Sequence, residues 1–121
     1  MYSPPVMSES VLMAWLLKQG QVLASLDTAD SFFARSKGLL GKPGFEGAML
    51  LRHTRGVHSF GMRFAMDVAF LDSELVVLDV LTLRPLRVTV PRMHTRSVLE
   101  AEAGAFERWS LKPGDQLEIQ E

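Results

Sequence analysis

The chain is expected to fold as a mainly β domain, a β-sandwich or partly open barrel of mostly antiparallel strands, with one short helix in its N-terminal half. Three observations carry this reading. About seven or eight short apolar or alternating runs are bounded by turn residues. One segment, Ala29–Lys37, instead spaces its apolar residues as a helix does. No helical pattern separates the later runs, as a parallel sheet would require.

Taken in order, residues 1–13, with Pro4-Pro5, read as a flexible N-terminal arm, and 14–121 as a single domain. Ala14–Leu17 and Gln21–Leu26 form a hairpin about Gly20, with Val22, Ala24 and Leu26 on one face. Asp27 or Thr28 is placed to cap the helix, Arg35 and Lys37 suit its last turn, and Gly38 suits its end. Ala48–Leu51 is a short apolar strand. Arg52–Gly61 is a structured loop with a short strand near Val57–Phe60. Met66–Leu71 and Leu75–Leu83 are strands joined through Asp72-Ser73-Glu74. The near-continuous apolar character of Leu75–Leu83 marks that strand as buried. Arg87–Val90, closed by Pro91, is an edge segment. Ser97–Glu100 is a strand, Gly104–Leu111 one helical turn or irregular loop, Lys112–Asp115 a turn, and Gln116–Ile119 the last strand. The expected core contains Phe32, Leu40, Leu50, Val68, Phe70, Val77, Leu78, Val80, Leu99 and Leu117.

Composition narrows the chemistry. With 121 residues, 47% hydrophobic and 22% charged, the chain is long enough to bury a core and is not disordered as a whole. The absence of cysteine excludes disulfides, thiolate catalysis and Cys-ligated metals. Thirteen Lys and Arg against 14 Asp and Glu give a net charge of −1, so no global attraction to nucleic acid is expected. No apolar run is long enough for a membrane span. Val11–Leu17 resembles the apolar part of a signal peptide, but Glu9 precedes it and no Lys or Arg does. It is therefore read as a strand, with a cytoplasmic setting expected. Phosphate-binding glycine loops, metalloprotease helices and nucleophile elbows are missing, and neither a metal nor a cofactor is expected.

The chemistry-bearing residues gather in the middle. From Glu46 to Asp67 no acid intervenes, yet Arg52, His53, Arg55, His58 and Arg63 fall there. Arg84, Arg87, Arg92, His94 and Arg96 lie in a second acid-free stretch between Asp79 and Glu100. These loops either form a basic face for an anionic ligand or pair with the acidic C-terminal stretch, and the near-zero net charge favours pairing. His58 and Ser59, as strand neighbours, would point to opposite faces and cannot form a nucleophile–base pair. Asp67 follows an apolar residue and precedes another, so its carboxylate needs a partner. Arg63, His58 and backbone donors are the candidates. Glu100, directly after Val98-Leu99, poses the same problem. Two such acids near one histidine would make a perturbed site, or a pair of buried structural bridges. Trp15 and Trp109, with Tyr2, suit a core or rim better than a sugar-stacking surface.

The run His58-Ser59-Phe60-Gly61-Met62-Arg63-Phe64-Ala65-Met66-Asp67-Val68-Ala69-Phe70-Leu71-Asp72 resembles the family catalogued as domain of unknown function 192. Arg35–Gly41, Ser97–Gly104 and Leu111–Leu117 agree with it in the same order, so the resemblance covers residues 15–119. It implies a compact, mainly β domain and no established activity. Family members occur with and without a signal peptide. Ala65-Met66 stands where the family often has Pro-Ile, and Ser73-Glu74 replaces its common Asp-Gly type of turn.

The expected function is therefore binding: an interaction module that uses the basic loop region around His58 and Arg63, with Asp67 and Glu100 nearby, for a small anionic ligand or a protein partner. The alternative is a small hydrolase-like enzyme with His58 and either Asp67 or Glu100 as its acid–base pair.

Overall fold

Residues 11–29, 47–57 and 64–121 are described by a computed structural model. Seven strands form one sheet: β1 Val11–Lys18, β2 Gln21–Ala29, β3 Ala48–Arg52, β4 Met66–Leu71, β5 Val77–Leu83, β6 Ser97–Glu102 and β7 Leu117–Gln120. Among the described residues there is one short helix, α1, Ala105–Arg108. The order across the sheet is β5-β4-β6-β3-β2-β1-β7, antiparallel everywhere except between β2 and β3.

The sheet curls until its two outer strands meet. Val76 bridges Gln116, Val77 N–H donates to the Asp115 carbonyl (2.8 Å), and Leu117 N–H donates to that of Leu75 (3.0 Å). Of the two expected architectures, this is the partly open barrel. Curling gives the sheet a concave face closed on itself and a convex face that loops must cover.

Strand alternation divides the apolar residues between these faces. Leu16, Leu26, Leu50, Ala69, Leu71, Leu99, Ala101 and Leu117 fill the concave side. Met49, Leu51, Met66, Val68, Phe70 and Val98 form a second buried cluster on the convex side, capped by Val57 from the following loop. This explains why all six residues of β4 are buried: each face of that strand serves a different core.

Several expectations shift, each for a local reason. β1 begins at Val11, so residues 11–13 belong to the sheet rather than to an arm. Asp27 and Thr28 do not cap a helix but extend β2, where β1 and β3 both pair with them. Two neighbouring strands offer their backbone more than a local cap would. The parallel β2–β3 pair needs a long crossover, which residues 30–46 are long enough to supply. The expected helix beyond Ala29 lies outside the described residues, as do Phe32 and Leu40. Bulges break the alternation twice. Leu23 is extra opposite Leu16-Leu17, which leaves Val22 exposed instead of sharing Leu26's face. Leu78 is extra opposite Phe70-Leu71 and is 38% exposed, so it leaves the expected core, while Val80 is only partly buried. Arg87–Val90 is not one of the seven strands and is fastened through Thr89.

The turns follow their local chemistry. Gln19 (φ 52°) and Gly20 (φ 77°) form a two-residue hairpin turn with both residues left-handed, the geometry that matches strand twist. Asp72 Oδ1 accepts from the backbone N–H groups of Glu74 and Val76, and so holds a turn that lacks a glycine.

Lys18 ties three elements together. Its Nζ pairs with Asp115 (2.9 Å) and donates to the Ser110 carbonyl (2.9 Å) just past α1. The hydrogen bond from Lys18, helped by the Lys112 backbone N–H, holds the Asp115 carboxyl below its ordinary value of 3.8, against the opposing effect of burial. A lowered carboxylate pKa contributes stability above the unfolded value and loses it as pH falls through the folded one. Asp115→Asn should therefore lower stability at neutral pH by about 1 kcal/mol or less. In thermal melts from neutral to strongly acidic pH, its difference from the parent should close below the ordinary carboxylate range.

Candidate functional site

Asp67 lies on the concave face of β4, opposite Thr82 of β5 and Ala101 of β6. Past the end of β6, Gly104 adopts φ 96°, which favours glycine, and turns the chain into α1. That turn aims two backbone donors at β4. Gly104 N–H (3.0 Å) and Phe106 N–H (3.1 Å) both donate to Asp67 Oδ2, and the Thr82 hydroxyl donates to Oδ1 (2.9 Å). Asp67 is 5% exposed, and its carboxylate serves as the missing cap of a helix whose own N-cap residue, Gly104, has no side chain. Of its expected partners, the structure shows backbone donors. The carboxylate also borders a cavity of about 540 Å³ between β5 and α1, lined in part by Val80, Thr82, Phe106 and Lys112.

Glu100 is fully buried on the other face. It pairs across the sheet with Met49 and Val68, two residues of the convex cluster, whereas Asp67 pairs with Ala101 of the concave one. Adjacent strands thus carry the two acids, but with the sheet between their side chains, so one imidazole cannot serve both. His58 and Arg63 lie outside the described residues. The chain on either side of them is informative: Val57 belongs to the convex cluster and Phe64 packs against it. Val57 and Phe64 therefore sit on Glu100's face.

The two acid-free basic stretches come together. Thr54 N–H donates to the Arg96 carbonyl (3.3 Å), Arg92 N–H to that of Arg55 (3.2 Å) and Thr89 N–H to that of Val57 (2.8 Å). Thr89 Oγ1 in turn accepts from Val57 N–H (2.8 Å). The loops form one layer over the convex cluster. Within it, the Arg92 guanidinium lies 4.3 Å from the centre of the Phe70 ring and pairs with Asp79. Two of the C-terminal acids are engaged elsewhere, Asp115 by Lys18 and Glu102 by Arg108. Trp15, 52% exposed, and Trp109, packed beside Phe106 against the concave core, go to different sides, and Tyr2 lies outside the described residues.

A profile of the family designated domain of unknown function 192, described as "Uncharacterized ACR", matches residues 14–119. The chain belongs to this family. A UPF0127 protein of Pyrococcus abyssi is 35% identical over 118 residues, covering 93% of this chain and 95% of the relative. One from Pyrococcus horikoshii is 35% identical over 119 residues, covering 93% and 96%. Among solved structures, a candidate transcription regulator from Sinorhizobium meliloti superposes with a TM-score of 0.76 at 22% identity, covering 93% of this chain and 97% of that one. A protein of unknown function from Novosphingobium aromaticivorans gives 0.70 at 20% identity, covering 97% and 93%. At these identities the likeness establishes the fold. The half-barrel is therefore shared by this domain and its structural neighbours, and no helix among the described residues is long and apolar enough to cross a membrane.

Sequence reasoning missed Thr82 and Gly104 as partners of Asp67. Thr82 could be found only from the β4–β5 register. Gly104, directly after an expected strand, did carry a signal, as a residue suited to left-handed backbone at a strand-to-helix turn.

Proposed function

We propose that this domain of unknown function 192 is a binding module that takes a small anionic ligand or an acidic protein partner on the basic layer around His58 and Arg63. The observation that carries this is the joining of two acid-free stretches, far apart in sequence, into one layer by backbone hydrogen bonds. Such a layer concentrates positive potential on a protein whose net charge is only −1. Where an acid–base pair is sought instead, Glu100 is the better partner for His58. Val57 and Phe64, which flank residues 58–63, lie on its face, while Asp67 is committed to capping α1.

A thermal-shift screen with phosphate, citrate, neutral sugars and divalent metals tests the reading, because a ligand of the native state raises its melting temperature. Phosphate or citrate should stabilise the protein, neutral sugars should not, and Arg55→Glu should remove most of the effect. Anion effects that are unchanged in Arg55→Glu, or absent altogether, would refute it. A Glu100→Gln variant that folds should keep anion binding if the layer binds rather than reacts.

A further inference from the structure

A second opening lies where β3 ends, β6 begins and the β4–β5 turn passes. The cavity there is about 420 Å³, within the range of small-molecule sites. Leu50, Leu75 and Ile119 give it an apolar floor, and Arg52, His53 and Arg96 stand on its lining. Ser97 also lines it. This residue shares the concave face with Leu99 and Ala101, is 5% exposed, and its hydroxyl has no hydrogen-bond partner among the described residues. Buried hydroxyls are ordinarily satisfied, so an orphan beside a cavity marks a place for a ligand atom. Among the described residues, the Arg96 guanidinium donates one hydrogen bond, to the Thr95 carbonyl, which leaves donors for a guest. One carboxylate, Asp72, also borders the cavity, and its Oδ1 is held by the turn it stabilises. Two guanidinium groups against one carboxylate leave a single positive charge to be matched.

We propose that this cavity binds a monocarboxylate with an apolar body, the carboxylate held by Arg52, Arg96 and the Ser97 hydroxyl, the body by Leu50, Leu75 and Ile119. The inference goes beyond the binding reading above: the cavity floor belongs to the concave side, and the sign of the guest's charge follows from the cavity's own two guanidinium groups. A single charge over an apolar floor suits a monoanion. A dianion such as phosphate would meet Asp72 with no apolar part to bury.

The test titrates the full chain with octanoate, octanamide and acetate, followed by amide chemical shifts in two-dimensional NMR. Octanoate should bind at least about tenfold more tightly than either control, with the largest shifts at Leu50, Arg52 and Ser97. Arg52→Gln and Arg96→Gln should each weaken it about tenfold, while Arg52→Lys retains more of the affinity. Equal binding of octanoate and octanamide, or shifts centred elsewhere, would overturn the proposal. The two readings fail separately. If phosphate or citrate stabilises the protein in an Arg55-dependent way but octanoate does not bind, the cavity proposal alone falls. If octanoate binds as expected and the Arg55→Glu variant responds to phosphate and citrate as the parent does, the basic-layer reading falls and the cavity stands.

Discussion

Asp67→Ala is expected to destabilise the protein by about 3 kcal/mol, a loss of roughly 10 °C in melting temperature for a domain of this size. The carboxylate accepts three hydrogen bonds while 5% exposed, two of them from the backbone N–H groups of Gly104 and Phe106. Alanine removes all three acceptor contacts and leaves buried donors behind, and charge-assisted bonds to backbone N–H groups are among the stronger ones. Asp67→Asn should cost much less, about 1 kcal/mol. Its single carbonyl oxygen can still receive both backbone donors, while its NH2 turns to the Thr82 hydroxyl, which can accept. Chemical denaturation of the two variants decides the matter. A large alanine effect with a small asparagine effect identifies a cap. An asparagine variant as damaged as the alanine one would show that the negative charge itself is needed, and an alanine variant that melts like the parent would remove Asp67 from the architecture.

That ranking depends on register, which marks the limit of what the sequence could tell. The bounds of β4 were legible, and Asp67 stood out between its apolar neighbours, whereas the near-continuous apolar run Leu75–Leu83 pointed to a burial that β5, buried only at Val77 and Leu83, does not have. The turn at Lys112–Asp115 was legible from Pro and Gly placement, and of the two readings of Gly104–Leu111, one helical turn or an irregular loop, the structure has the helical turn. Bulges left no trace in composition, so Val22 was assigned by an alternation that the structure interrupts beside it, and Leu78 by a continuous apolar run in which it is the bulged residue. The opposite orientation of Asp67 and Glu100 had the same origin. Parity along one strand says which residues share its face, but only the pairing of Asp67 with Ala101 and of Glu100 with Val68 says how two strands' faces correspond. The basic stretches were visible as sequence, whereas their union needed hydrogen bonds between segments more than thirty residues apart, such as those joining Val57 and Thr89. The cavity at Ser97 rests on an unsatisfied hydroxyl, which no single-residue property reveals.

Phe70→Ala should cost about 4 kcal/mol, the largest effect expected of any single truncation considered for this domain. The ring is fully buried in the convex cluster, on the face it shares with Met66 and Val68, opposite Val98 of β6 and Asp79 of β5. Alanine would lose the transfer free energy of the ring and leave a void that β-sheet neighbours, fixed on both sides, cannot close. A second loss falls on the layer above. Arg92, 4.3 Å from the ring centre and paired with Asp79, joins the sheet to the 84–96 stretch, and its N–H also reaches the Arg55 carbonyl. Without the ring the guanidinium loses its platform, and the basic stretches lose a point of attachment to the core. Amide hydrogen exchange should therefore rise in residues 84–96 by more than the global destabilisation accounts for. Phe70→Leu, which keeps most of the volume but not the aromatic face, separates the two contributions. It should recover most of the stability while leaving exchange in 84–96 elevated. If exchange there returns with stability, Arg92 is held by Asp79 alone and the ring serves only as core. A Phe70→Ala variant that melts at the parent temperature would contradict the two-faced core itself, because the convex cluster would then contribute nothing to holding the sheet.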